Sequence, residues 1–185
     1  QGMPLAGWPV IIFNHGFHPE PFMNGRRSID GISDRPGDYY RQIPQSLARH
    51  GFLVVVPDYR GHNDSAGIEF TLQETSARWY ARDVLGVVNA LDSINNIDKS
   101  HLFMLGHSMG GQVTLLVAGL LGDKLSGASI WSTQLPTESG ISDTGLIPIV
   151  SQLKLINSPL NIHHAEGDQT TLSGYCHRAA KERCL

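Results

Sequence analysis

Cysteine is scarce in this 185-residue chain: Cys176 and Cys184 are the only two, both near the C-terminus. Two residues supply no disulfide framework. On one helix they would stand about 12 Å apart along the axis, too far for a bridge, and the redox compartment stays open. Long apolar runs are lacking as well. The most apolar stretch, residues 113–121, is far below the roughly 20 residues that a membrane-spanning helix needs. There is no surplus of positive charge, since 14 Lys and Arg face 17 Asp and Glu for a formal net charge of −3. That balance argues against a nucleic-acid or anionic-membrane footprint. Internal repeats and low-complexity linkers are absent, and the 20 Gly and 10 Pro are spread as turn punctuation. The first residue is Gln1, with no Met and no signal-type segment ahead of it, so a processed or partial chain is expected. What is present is an ordinary globular mix, 41% hydrophobic and 17% charged. It suits a single domain over residues 1–185 with one core.

Short apolar runs alternate with longer amphipathic stretches. The runs are 10–13, 52–56, 102–105, 127–131 and 160–162, each bounded by Gly, Pro, Asn or His. The first three lack polar alternation, which predicts buried strands of a parallel sheet. Helices are predicted over 39–50, ending at Gly51 as a natural C′ residue, and over 76–94. In the second, Ala77, Ala81, Val84, Leu85, Val88 and Leu91 recur at three- and four-residue intervals. Further helices are predicted over 108–121, stopped by Gly122, and over 172–184. Strand–helix alternation of this kind predicts an α/β fold with right-handed crossovers, with chemistry gathered where strands end and helices begin.

One segment stands above the rest. Gly106-His107-Ser108-Met109-Gly110 follows a predicted buried strand and opens a predicted apolar helix. In that context Gly-x-Ser-x-Gly is a nucleophile elbow: the turn is so tight that side chains two positions either side of the serine would clash. Such a turn lifts the Ser108 hydroxyl to the strand end and sets a helix N-terminus beneath it. The bare pattern is common, and its plain alternative is a Gly-rich turn with a bystander serine; the flanking strand and helix decide between them. A second segment, Phe13-Asn14-His15-Gly16-Phe17, follows the first strand. Acyl transfer needs two backbone N–H donors for the developing oxyanion. Met109, directly after the serine, and Phe17, beyond an uncluttered His-Gly, are the candidates. The side chain of His15 reads as loop packing.

These segments, together with 57–62 (Pro57 to His62) and 159–168 (Pro159 to Asp168), resemble the ordered landmarks of the α/β-hydrolase superfamily. The nearest likeness is to its prolyl-oligopeptidase-like and dienelactone-hydrolase-like esterase branch, over about residues 8–183. The resemblance implies a three-layer α/β/α sandwich around a mainly parallel sheet of about five strands, a minimal core of the fold. It also implies Ser108 as nucleophile and Asp168 as the triad acid. One departure is Asn63, where the family carries Gly; Asn tolerates the left-handed backbone that such a turn needs. From the residues alone, Asp168 closes an apolar run at a strand's C-terminal end, its alternative being an exposed turn residue. Asp58 reads as a tie for the loop after its strand, Asp83 as a helix residue and Asp143 as part of a Ser/Gly/Thr-rich loop.

The base is harder to place. The family order is Ser, Asp, His, with one more helix and strand before the histidine, and only 17 residues follow Asp168. The last strand and histidine loop are therefore not seen, and the seven residues before Trp8 are too few for the N-terminal hairpin of larger relatives. His177 is the one histidine after Asp168, in a segment that reads as helix, where a solvent-facing role is the alternative. Three explanations arise: a missing strand outside the chain, a shortened triad with His177, or an impaired relative that still binds acyl compounds. The first is preferred. His62, His101, His107, His163 and His164 read as packing residues. His15-x-x-His18 lacks a third ligand, so no metal is expected, and the chemistry needs no cofactor.

The function expected is a serine carboxylesterase acting on small to medium acyl esters, with a small-molecule ester as partner, no nucleic acid and no membrane span. Residues 131–159 are too few for a large cap and predict a short apolar lip. The alternative is an aminopeptidase or acyl-peptide hydrolase of the same fold, for which Glu20 and Glu69 are weak anchors for a free N-terminus. The relatives it resembles are often exported in bacteria, which sets the periplasm or exterior beside the cytoplasm as compartments.

Overall fold

The computed structural model of the chain describes residues 2, 4–16, 28–29, 32–33, 40–62, 65–67, 69, 76–133 and 153–168. The strands are β1 (Trp8–Asn14), β2 (Ser28–Ile29), β3 (Ile32–Ser33), β4 (Leu53–Val55), β5 (Ile97–His107), β6 (Gly127–Trp131) and β7 (Leu160–His163). The helices are α1 (Gln42–Arg49), α2 (Ser76–Ala90) and α3 (Met109–Leu121). Five strands form one sheet in the order β4-β1-β5-β6-β7, with every neighbouring pair parallel. The pair β2–β3 is a separate antiparallel ribbon. All five predicted runs are strands of the parallel sheet, and the fold class is the α/β sandwich expected.

The pleat sorts the sheet residues between two faces. Val10, Ile12, Met104 and Ile130 point to the face that meets Val84 of α2 and Val113 and Leu115 of α3, all at most 2% exposed. Each such side chain, fully buried, contributes about 1.5–3 kcal/mol. The alternate residues face the other way. There Phe13 meets Tyr40 edge-on (centroids 5.1 Å apart) and Phe103 meets Phe52 (6.2 Å), beside α1.

Several boundaries differ from the expectation, each for a physical reason. The helix predicted over 39–50 begins at Gln42. A start at Tyr39 would bury Pro44 inside the helix, where its missing N–H would orphan the Tyr40 carbonyl; a start at Gln42 leaves Pro44 in the first turn, where no donor is required. Gly51 does take the left-handed backbone, at φ 93°. The helix expected from Ser108 begins at Met109, with Ser108 itself outside it. β5 starts five residues early because Ile97 and Asp98 pair with Trp8 and Pro9, across a register shift between Pro9 and Val10. The loop after β4 is tied by Asp83 rather than by the side chain of Asp58. The Asp83 carboxylate accepts from the Arg60 backbone N–H (3.0 Å) and from its guanidinium (2.6 Å), and that guanidinium also lies 5.0 Å over the Trp79 ring. From Asp58 it is the carbonyl that accepts, from Ser65 Oγ at 2.9 Å. The segment 172–184, both cysteines, Asn63, Asp143 and most of 131–159 lie outside the described residues.

Candidate active site at the C-terminal edge of the sheet

A parallel sheet delivers the C-terminal ends of all its strands to one edge, the place where α/β folds bind and react with ligands. Here that edge gathers residues 14–16 after β1, 107–109 after β5, 131–133 after β6 and 163–168 after β7.

Ser108 occupies the junction between β5 and α3 at φ 53°, ψ −120°. A non-glycine residue held there costs on the order of 1–3 kcal/mol, so the surroundings must impose it. They do so through main chain. Ser108 N–H donates to the Trp131 carbonyl at 2.9 Å, and the Ser108 carbonyl accepts from Gly111 N–H at 3.0 Å. A Cβ on Gly106 would strike Thr114 and the carbonyl of Gly110, and one on Gly110 would fall onto the main chain of Asn14 and His15. The gap is fastened by side chains too, since Asn14 Nδ2 donates to Thr114 Oγ1 (2.8 Å), which donates to the Gly110 carbonyl (2.9 Å). Met109 opens α3, so its N–H belongs to the unsatisfied first turn and lies at the positive end of the helix dipole.

The end of β1 meets this turn through Tyr40. Gly16 N–H donates to the Tyr40 hydroxyl at 3.2 Å, and that hydroxyl lies 2.8 Å from His107 Nδ1. Burial pushes the His107 imidazole below its ordinary pKa, while the charge of Asp168 acts in the opposite direction. His15 is wholly buried and stacked on Tyr59 at 4.2 Å, as loop packing requires. The Tyr59 hydroxyl donates to the His15 carbonyl at 3.3 Å, and burial raises its pKa well above the ordinary phenol value.

After β7 the chain turns at 165–168, where Asp168 N–H donates to the Ala165 carbonyl (3.1 Å). Asp168 Oδ2 lies 3.6 Å from Nε2 of His164, whose side chain is 5% exposed. His163 faces outward at the rim, edge-on to Trp131 with centroids 5.7 Å apart. Of the remaining histidines, His62 is buried as expected. His101 is not a packing residue: its side chain is 58% exposed and its Nδ1 lies 2.6 Å from Asp98, at the bulged start of β5.

Of the predicted site residues, Ser108, Met109 and Asp168 come to one edge of the sheet. Phe17 and His177 lie outside the described residues, as do His18 and Glu20. No group of three His, Cys, Asp or Glu suited to a metal ion occurs among the described residues, and none of their helices is long and apolar enough to cross a membrane. Sequence reasoning missed Tyr40 and Thr114. A tyrosine before a helix and a threonine one turn into another carry no spacing signal, and only the sheet order brings them to the serine.

A serine on a strained strand-to-helix turn of a parallel sheet defines the α/β-hydrolase fold, and solved structures bear this out. Est1E from Butyrivibrio proteoclasticus, solved with ferulic acid bound, superposes with a TM-score of 0.72 at 17% identity, covering 98% of this chain and 79% of that one. The Pyrococcus furiosus esterase Pf2001 gives 0.70 at 14% identity, over 96% and 69% of the two chains. Within that fold, the family described as serine aminopeptidase, S33, matches residues 30–139, and the chain belongs to it. The monoglyceride lipase of Rattus norvegicus is 33% identical over 79 residues, 43% of this chain and 25% of that protein. The mouse monoglyceride lipase is 32% identical over the same length. The chain thus spans about a quarter of the length of the curated relatives it matches.

Proposed function

We propose that the chain carries the nucleophile and acid of a serine carboxylesterase that hydrolyses small to medium acyl esters through an acyl-enzyme. The observation that supports this most is the conformation of Ser108, held at positive φ between two glycines that admit no side chain, above the N-terminus of α3. In this reading Ser108 Oγ attacks the ester carbonyl as a histidine takes its proton. The backbone N–H groups of Met109 and Phe17 receive the oxyanion, and the alcohol leaves with the proton. Water then cleaves the acyl-enzyme with the same base. Asp168 orients the imidazole and stabilises its cation. His177 is the base to be tested within this sequence. The chain acts as one domain over 1–185, with 131–159 a short lip over an open site.

Support also comes from relatives named as monoglyceride lipases and from structural neighbours named as esterases. The family's own description, serine aminopeptidase, favours a second reading in which the same machinery cleaves an N-terminal amide. Steady-state hydrolysis of p-nitrophenyl butyrate and of an aminoacyl p-nitroanilide by the full chain separates the two. The ester is expected to turn over faster, and Ser108→Ala is expected to remove that activity by about 10⁴-fold or more. Faster anilide turnover selects the aminopeptidase. Turnover of neither leaves the acyl-binding relative.

A further inference from the structure

We infer that Tyr40 is a positioning residue for the Ser108 turn: its hydroxyl ties the main chain after β1 to His107 and fixes the His107 ring as the neutral Nε2–H tautomer. This role rests on the reading of Ser108 as nucleophile.

The geometry is narrow. A backbone N–H can only donate, so Gly16 uses a lone pair of the Tyr40 oxygen (3.2 Å); in the arrangement inferred here the O–H donates to His107 Nδ1 (2.8 Å). An accepting Nδ1 requires the ring proton on Nε2. The ring of Tyr40 is itself held, edge-on to Phe13 at 5.1 Å and to His107 at 5.6 Å. Gly16 leaves the room this needs, because a Cβ there would lie 2.8 Å from the Tyr40 oxygen, 3.1 Å from His107 Nδ1 and 3.2 Å from the His107 carbonyl. One hydroxyl thus spaces two strand ends, β1 and β5, that neighbour each other in the sheet. His107 is covalently next to the serine, so a ring that turns or takes a second proton moves the turn that presents Ser108. The charge of Asp168 favours that second proton. The tie from Tyr40 opposes it, because a protonated imidazole has no acceptor left at Nδ1.

Two measurements on the full chain test this. Nitrogen-15 NMR of the wild-type histidines is expected to show His107 with a bare Nδ1 and a protonated Nε2 at neutral pH; the opposite tautomer overturns the inference without any variant. Tyr40→Phe keeps the ring packing and removes the hydroxyl. It is expected to lower kcat for p-nitrophenyl butyrate by about 10- to 100-fold with KM changed less than about threefold, as a small misplacement of reacting groups does. Gly16→Ala, which displaces the same oxygen, is expected to match it, and the double variant to add little. A Tyr40→Phe enzyme with unchanged kcat overturns the role while leaving Ser108 as nucleophile. A wild type in which Ser108→Ala costs no activity overturns the esterase reading and this role together.

Discussion

Two turns leave the same edge of the sheet and are held by different means. The turn after β5 is confined chiefly by main chain, the carbonyls of Asn14, His15, Gly110 and Trp131, with the Thr114 hydroxyl beside them. The turn after β7 is open. Ala165, Glu166 and Gly167 are exposed, a Cβ on Gly167 would meet nothing within 4 Å, and the ties of Asp168 include a backbone bond to Ala165 and the neighbouring His164. Where backbone crowding dictates a position, only glycine fits and the sequence must say so. Where side chains do the holding, many sequences serve and the signal fades.

The sharpest way to break this contrast is Gly110→Ala. Its methyl group lands on the Asn14 and His15 main chain, which cannot yield without opening β1 from α3. A loss of at least about 4 kcal/mol in urea unfolding, or failure to fold, is expected. Asp168→Asn probes the open turn by chemistry instead. It is expected to lower kcat for ester hydrolysis by about 10³-fold or more while leaving the melting temperature within a few degrees, since Asn keeps the shape of the side chain and removes only its charge. Next comes Arg60→Ala, which removes the guanidinium bonds to Asp83 that pin the loop after β4 to α2. About 1–3 kcal/mol of stability is expected to go, read from the urea midpoint at constant slope.

A smaller effect concerns pH. The folded state holds the His107 imidazole below its ordinary pKa, chiefly by burial. The unfolded chain therefore binds the extra proton first. The stability tied to the neutral ring is complete above the unfolded value near 6.5 and declines as pH falls toward the lower folded value. Urea midpoints at pH 7.5 and 5.5 are expected to differ more in wild type than in His107→Gln. The smallest effect is at Gly167, where alanine meets open space. Gly167→Ala is expected to change stability by no more than about 0.5 kcal/mol in thermal unfolding, against the large loss at Gly110.

The same contrast explains how much could be read without coordinates. β1, β4 and the end of β5 were legible because a buried parallel strand reads as a continuous apolar run, and β6 and β7 as shorter apolar runs bounded by turn residues. Ser108 was legible because Gly106 and Gly110 flank it by steric necessity. The start of α1 was readable in principle from Pro44, whose missing N–H belongs in a first turn. The early start of β5 was not, since residues 98–101 are polar, and Ile97 and Asp98 pair with β1 only across a register shift. Asp83 was indistinguishable from any helix carboxylate until the loop brought Arg60 to it. Tyr40 had no signal at all, because its two partners, Gly16 and His107, are 24 and 67 residues away.

The central claim, that the strained serine after β5 is the reacting group, is most directly tested by treating the folded full chain with a fluorophosphonate and mapping the adduct by peptide mass spectrometry. Stoichiometric phosphonylation confined to Ser108, abolished by heat unfolding and by Ser108→Ala, is the predicted result. A folded protein left unlabelled, or labelled equally well in Ser108→Ala, would contradict it.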